Sequence, residues 1–294
     1  MSTLRYFKPK SVEEACSLLH KYGEDSKVIA GGTDLLIQIK NKVTLPNFLI
    51  SIADIGALNY ISYDEIDGIR IGALTTVDSI KNSSFVRSKY NALAHASDTL
   101  GSPTIRRQAT IGGNLCNGSP SADIATALMV LGTQLKMTSV HGENTISIDN
   151  FFIGPRKTII NHSQILTEIQ IPAPPLNSGS AFEKQTRRQG ADLAVAGVAA
   201  LAVMHGDIFS DIKIGLGAVA PTPIRAVGAE EVLRGKKLDD RLLEESIQTA
   251  SRESMPIDDI RGFADHRRKL VAALLKRVIR QAVAQARTEV KPCL

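Results

Sequence analysis

Two short stretches carry residue types from which a phosphate site can be built. The first is Ala30-Gly31-Gly32-Thr33-Asp34-Leu35, and the second runs from Ala109 to Asp123, ATIGGNLCNGSPSAD. A glycine pair lets backbone approach a ligand closely, because no Cβ stands in the way. Successive N–H groups in such a turn can converge on an anion. A single phosphate needs one such nest, and a diphosphate is well served by two brought together by the fold. Asp123 then stands where a carboxylate could accept from a sugar hydroxyl. Asp34 is the odd member, since a carboxylate beside a phosphate repels it; it is expected to cap backbone N–H groups or to turn away. Each stretch taken alone also reads as a tight turn before a capped helix, with Ser121 or Asp123 as the second cap. The dinucleotide fingerprint GxGxxG between a strand and a long helix is absent, so a large dinucleotide would have to sit between the two loops in a different fold.

The surrounding segments show how these loops would be held. Ser11-Val12-Glu13-Glu14 fits a capping box, Val12, Ala15, Cys16 and Leu19 share one helical face, and Gly23 ends the helix. Lys27 to Ala30 reads as a short strand running into the first glycine pair, with one or two helical turns from Leu35. That order presents backbone donors and a positive helix end to phosphate. Phe48–Ile52 and Ile69–Ala73 read as strands, and a helix is predicted from about Ser84 to Leu100 with Phe85, Leu93 and Ala96 facing inward. Arg106 and Arg107 are expected to pair with carboxylates or face a partner. Gln134–Thr138 and Thr145–Ile148 read as paired strands, with Ile165–Ile171 as a further one. PAPPLNSGS, residues 172–180, is the expected domain boundary. Beyond it, Ala194–Met204 and Ile208–Val219 form an expected hairpin around His205-Gly206-Asp207. Residues 261–287 are expected to be helical, with Leu270, Leu274, Ile279 and Val283 inward and Arg267, Arg268, Lys269, Lys276, Arg277 and Arg280 on a solvated or partner-facing side.

Composition narrows the function classes. The chain has 294 residues, enough for about two domains. Aromatic residues are only 4% with no Trp, which argues against a base-stacking surface for single-stranded nucleic acid. The net charge of +5 is spread along the chain and suits an anionic cofactor or an acidic subunit. Cys16, Cys116 and Cys293 are too few and scattered for a disulfide framework or an iron–sulfur cluster, and the six histidines do not cluster, so no metal site is expected. No apolar run reaches membrane-spanning length and the first residues form no signal core, which makes the cytoplasm the expected location.

AGGTDLL at 30–36, TIGGNLCNGSPSAD at 110–123, AFEKQTRRQGADLA at 181–194 and RGFADHRRKLVAALLKRVI near the C-terminus together resemble the FAD-binding medium subunits of the molybdenum hydroxylases. This is the xanthine dehydrogenase family, which also includes carbon monoxide, nicotinate and aromatic-acyl-CoA enzymes. The resemblance implies an α+β fold: a vanillyl-alcohol-oxidase-type (PCMH) FAD-binding domain over residues 1–175, in two α/β subdomains of about 1–57 and 58–175. A C-terminal domain over 176–294, with a small antiparallel sheet and helices, would follow. It implies that Val28, Ile29, Ala30, Gly31, Gly32, Thr33, Asp34 and Leu35 line the pyrophosphate of a noncovalent FAD. Thr110, Ile111, Gly112, Gly113 and Asn114 would form the second pyrophosphate loop, Asp123 would bind the adenosine portion, and Leu100 and Leu166 would pack on the cofactor. Lys184 resembles a lysine that approaches the isoalloxazine and would offset charge on reduced flavin; the plainer reading is a solvent-exposed strand lysine. No catalytic acid or base is nominated. Molybdopterin and [2Fe-2S] clusters would sit on a large and a small partner subunit, with NAD, oxygen or a quinone as final acceptor. The acyl-CoA branch carries a cysteine-bearing [4Fe-4S] loop that this chain lacks. Thr33-Asp34 stands where carbon monoxide enzymes usually have His-Ser, and NGSPSAD is closer to purine and N-heterocycle hydroxylases. A self-sufficient flavin oxidase of a small alcohol or hydroxy acid, or a non-enzymic nucleotide-binding assembly factor, would use the same loops.

Overall fold

The computed structural model describes residues 4–188 and 190–288; Cys293 lies outside them. The chain builds three layers in sequence order. The first is a parallel sheet of β1 (Arg5–Phe7), β2 (Ser26–Ile29) and β3 (Phe48–Ser51), ordered β1-β3-β2, with α1 (Val12–Tyr22) and α2 (Leu35–Lys40) as its crossovers. The cap of α1 forms as its residue types dictate. Ser11 Oγ accepts from the Glu14 N–H, while Glu14 reaches back to accept from Lys10 N–H at 2.7 Å. The helix buries Ala15, Cys16 and Leu19 against the sheet, and Gly23 ends it at φ +52°.

The second layer is an antiparallel sheet of β4 (Ile61–Asp64), β5 (Gly68–Gly72), β6 (Gln134–Ser139), β7 (Gly142–Ser147) and β10 (Ile165–Ile171), ordered β4-β5-β10-β6-β7. Between β5 and β6 come six short helices: α3 (Val77–Asn82), α4 (Ser84–Lys89), α5 (Asn91–Thr99), α6 (Pro103–Gln108), α7 (Ile111–Cys116) and α8 (Asp123–Val130). The hairpin β8 (Phe152–Gly154) and β9 (Lys157–Thr158) precedes β10. The helix expected over 84–100 is broken at Tyr90, whose ring is buried and whose hydroxyl donates to the Pro172 carbonyl. That tertiary bond outweighs helical continuity. Leu93 and Ala96 are buried as expected, but Phe85 is 45% exposed and stacks on Tyr63 instead.

The third layer is the antiparallel sheet β11 (Ser178–Thr186), β12 (Ala194–His205), β13 (Ile208–Gly217) and β14 (Ile224–Arg225), covered by α9 (Val227–Leu233), α10 (Asp240–Glu253) and α11 (Ala264–Thr288). The expected hairpin around His205-Gly206-Asp207 is present. β12 is apolar on both faces because both are covered. Val198, Ala200 and Ala202 belong to the core under α11, while Ala199 and Leu201 belong to the core of the second layer. Small residues let α11 lie close: a Cβ on Gly179 would overlap the Ala282 carbonyl. Leu274, Ile279 and Val283 point into that core and Leu270 packs at its edge. Arg267, expected on the solvated side, is only 2% exposed; it donates to Asp259 and to the Ile257 carbonyl and so ties the 255–263 loop to α11.

Candidate cofactor-binding site

A cleft of about 750 Å³ opens where the first two layers meet the third. This is within the size range of small-molecule and cofactor pockets, roughly 300–1,000 Å³. Its walls are the β2–α2 loop, α6 and α7, the 117–123 segment, the β8–β9 hairpin, the start of β10 and residues 191–193.

The two glycine pairs meet here, but their first task is to let the chain pack on itself. A Cβ on Gly31 would overlap the carbonyl of Gln108, at the end of α6, so the first loop touches the approach to the second. Gly32 sits at φ +70°, a region L-residues rarely occupy. Gly112 presses on Ala73 in the same way, whereas a Cβ on Gly113 would meet only Thr110 Oγ1 at 3.0 Å.

The loops differ in what they offer. Among the described residues, the N–H groups of Gly31, Gly32, Thr33 and Asp34 donate to no protein acceptor. Those of Ile111 to Asn114 in the second loop are already used. Ile111 N–H donates to Thr75 O, Gly112 N–H to Ala73 O, Gly113 N–H to Thr110 Oγ1 and Asn114 N–H to Thr110 O. The expectation of two backbone nests is therefore corrected: Thr110 N-caps α7, and the second loop presents side chains. Asn114 Oδ1 is buried in the cleft wall with no partner, a position that costs about 1–3 kcal/mol unless a ligand donates to it. Asp34 makes no cap bond. It is solvent-accessible at its edge, yet partial burial pushes its carboxyl above the ordinary range, with Arg156 pulling the other way.

Asp123 opens α8, whose N-cap is Ala122 with no side-chain bond, so neither Ser121 nor Asp123 acts as the cap. Its carboxylate is instead held by Lys184 from β11, Nζ to Oδ2 at 2.5 Å, with both side chains nearly closed to water. Lys184 also donates to the Asp192 carbonyl, and the reading of it as a solvent-exposed lysine is overturned. Burial pushes the Asp123 carboxyl up to about 6, against the pull of Lys184. Asp123 Oδ1 has no partner and faces the cleft. The pair bridges the second and third layers.

Val28, Ile29, Ala30, Gly31, Gly32, Thr33, Asp34, Leu35, Leu100, Thr110, Gly112, Gly113, Asn114, Asp123 and Leu166 all line this cleft. Ile111 does not; it is buried in the core, as the residue after a helix N-cap facing the sheet must be. Lys184 does not line the cleft itself but donates to two residues that do, Asp123 and Asp192. Arg106 is buried and donates to the carbonyls of Leu100 and Gly101, not to a carboxylate. Sequence reasoning missed Gln38, whose side chain bonds Asn117 across the cleft floor at 3.0 Å, and Arg156 on the β8–β9 turn. The polar run NGSPS signalled Asn117; nothing local signalled Arg156. Cys116 lines the cleft, but burial pushes its thiol up to about 12, so it is no nucleophile at neutral pH. Among the described residues no cluster of His, Cys, Asp and Glu could hold a metal ion, and no helix is long and apolar enough to cross a membrane.

A family described as the FAD binding domain in molybdopterin dehydrogenase matches residues 2–174, and one described as the CO dehydrogenase flavoprotein C-terminal domain matches 180–282. The chain belongs to this family of FAD-binding flavoprotein subunits. It is 35% identical over 282 residues to the carbon monoxide dehydrogenase medium chain of Afipia carboxidovorans, covering 96% of this chain and 97% of that one. It is 32% identical to the xanthine dehydrogenase FAD-binding subunit of Escherichia coli O157:H7, with 96% of each covered. A carbon monoxide dehydrogenase chain from Hydrogenophaga pseudoflava superposes with a TM-score of 0.93 at 33% identity, covering 96% and 98%. FAD is thus the cofactor of this flavoprotein, and the cleft fits it. The cleft has unpaired N–H donors for a diphosphate and two orphaned acceptors, Asn114 Oδ1 and Asp123 Oδ1, for donors on the cofactor.

Proposed function

We propose that this chain is the electron-transfer subunit of a heterotrimeric molybdenum hydroxylase. Electrons from a substrate oxidised at molybdopterin on a large subunit would cross [2Fe-2S] clusters of a small subunit and leave through the FAD held here, to NAD or another acceptor. Bound FAD supplies the redox chemistry, exchanging single electrons and electron pairs. This chain's residues bind and orient it. Gly31, Gly32, Thr33 and Asp34 offer backbone donors to the diphosphate. Thr110 lines the second loop while capping α7, Asn114 offers its side chain, Leu100 and Leu166 give apolar contact, and Asp123 accepts at one end with Lys184 behind it. The domain boundary we infer lies at 175/176, so that this last pair joins the FAD-binding and C-terminal domains. Two free cysteines among the described residues suit the reducing cytoplasm.

The observation that carries this reading is the convergence in one cleft of free N–H donors and orphaned acceptors. Thr33-Asp34 in place of His-Ser speaks against carbon monoxide, and the likeness of NGSPSAD to purine and N-heterocycle hydroxylases supports those as the substrate class. The test is native purification of the chain with its genomic neighbours, followed by an absorption spectrum and turnover with xanthine and with carbon monoxide. A flavin band with iron–sulfur shoulders, two co-purifying chains and turnover of the purine support the proposal. A lone yellow chain that oxidises a small alcohol would replace it with the self-sufficient oxidase, and a chain that takes up no FAD would refute it.

A further inference from the structure

The loop that offers free donors to a diphosphate also carries a carboxylate, Asp34, and no cation of its own. Arg156 lines the same cleft, near enough for its charge to act on the Asp34 carboxyl. It lies on the turn between β8 and β9, and three features set it apart. Its backbone holds φ +57°, a left-handed conformation that costs a non-glycine residue about 1–3 kcal/mol and that recurs at ligand clamps. The turn is fixed there by the Arg156 N–H donating to Gly118 O at 2.9 Å, and by Gly118 itself, whose missing Cβ would lie 3.2 Å from the Arg156 backbone. Among the described residues its guanidinium makes no hydrogen bond and no ion pair, although it lines the cleft. Elsewhere in this chain arginines near the cores are used up: Arg106 holds carbonyls, Arg225 holds Glu230, and Arg261 and Arg267 hold Asp259. A strained, anchored backbone thus delivers a cation with no hydrogen-bond or ion-pair partner among the described residues to the cleft that holds the Gly31–Asp34 loop.

We propose that Arg156 is the cation that completes the diphosphate site, binding phosphate oxygens alongside the Gly31–Asp34 N–H groups and offsetting the charge of Asp34. This rests on the reading that FAD occupies the cleft. Arg suits the task because its planar, permanently charged fork matches phosphate oxygens in pairs.

The experiment is titration of the purified apo chain with FAD, read by quenching of flavin fluorescence at several salt concentrations. Variants are Arg156→Gln, Arg156→Lys, Arg156→Gly and Asp34→Asn, each with a melting curve of the apo form. Arg156→Gln is expected to weaken FAD binding about 10- to 100-fold and to flatten its salt dependence, as loss of a charge-assisted bond requires. Arg156→Lys should recover part of the loss. Arg156→Gly removes the guanidinium but accepts φ +57° freely. It should therefore weaken FAD binding as much as Gln while leaving the apo melting temperature equal or higher, which a merely structural arginine would not do. Asp34→Asn should tighten binding, and inorganic pyrophosphate should compete less well with FAD on the Arg156 variants. If wild type binds FAD and Arg156→Gln binds it within twofold, with the same salt dependence, the clamp is wrong and the flavin reading stands. If wild type takes up no FAD, the reading beneath the clamp is wrong.

Discussion

Lys184→Met would remove the cation from a pair that is 6% and 7% exposed and 2.5 Å apart. Breaking a buried ion pair from one side typically costs about 3–5 kcal/mol, because the remaining charge is left uncompensated; replacing both partners by apolar groups is often neutral or stabilising by about 1–4 kcal/mol. The titration of Asp123 fixes how the cost depends on pH. Its folded carboxyl lies at about 6, above the ordinary 3.8, so between those values the folded chain holds a proton that the unfolded chain has released. The contribution of Asp123 is therefore complete below about pH 4 and is lost as pH rises through 6, by about 3 kcal/mol for a shift of that size. In Lys184→Met the opposing pull is gone and the carboxyl rises further. The variant should lose about 3–5 kcal/mol at pH 8 and much less at pH 5, where the stranded carboxyl is protonated. Asp123→Asn/Lys184→Met should recover most of the loss and show little pH dependence from this site. Urea midpoints of the apo chain at pH 5 and 8, followed by circular dichroism, measure all of this. A Lys184→Met midpoint equal to wild type at pH 8, or a double variant no better than the single one, would refute the argument that the pair is buried and coupled. FAD donating to Asp123 Oδ1 should draw the carboxyl down again, so the loaded chain should show a flatter pH dependence than the apo chain.

Gly31→Ala drives a Cβ into the Gln108 carbonyl and should cost about 1–3 kcal/mol with loss of FAD uptake, whereas Gly113→Ala, which meets only Thr110 Oγ1 at 3.0 Å, should stay folded; melting curves with and without FAD separate the two. Asn114→Ala removes an orphaned oxygen, so apo stability should hold or rise by up to about 1 kcal/mol while FAD affinity falls about tenfold; flavin titration beside urea unfolding checks both. Glu230 is 1% exposed, accepts twice from Arg225 at 2.6 Å and once from Ile214 N–H. Glu230→Ala should cost about 3–5 kcal/mol in urea unfolding and leave the intrinsic FAD affinity of the folded chain unchanged, since this triad lies in the other core.

What the sequence could and could not reveal follows from how far each interaction reaches. The Ser11–Glu14 cap and the turn His205-Gly206-Asp207 are local, and residue type alone decided them. Arg267 could not be read locally. A basic residue on a helix belongs in water by default, and only the return of the 255–263 loop brings Asp259 over it. The residues of the cleft were found because their types are restrictive, but the reason for the restriction was hidden. Gly31 is small because Gln108 lies against it, and Gln108 is distant in sequence. Thr110 reads as a ligand group, yet it spends its oxygen on capping α7, and the donors expected from its loop go to Thr75 and Ala73. This changes how the site works. Chain packing, not the ligand, brings the two loops together, so the cleft can be formed before the cofactor arrives. On the proposed reading, what meets FAD includes groups that packing leaves unpaired among the described residues: the N–H groups of Gly31 to Asp34, Asn114 Oδ1, Asp123 Oδ1 and the Arg156 guanidinium. A preformed site of this kind spends little binding energy on ordering, so each of those groups should act on FAD affinity directly. Side-chain changes at Asn114 and Arg156 should then alter affinity without altering the apo fold, while changes at Gly31 must alter both.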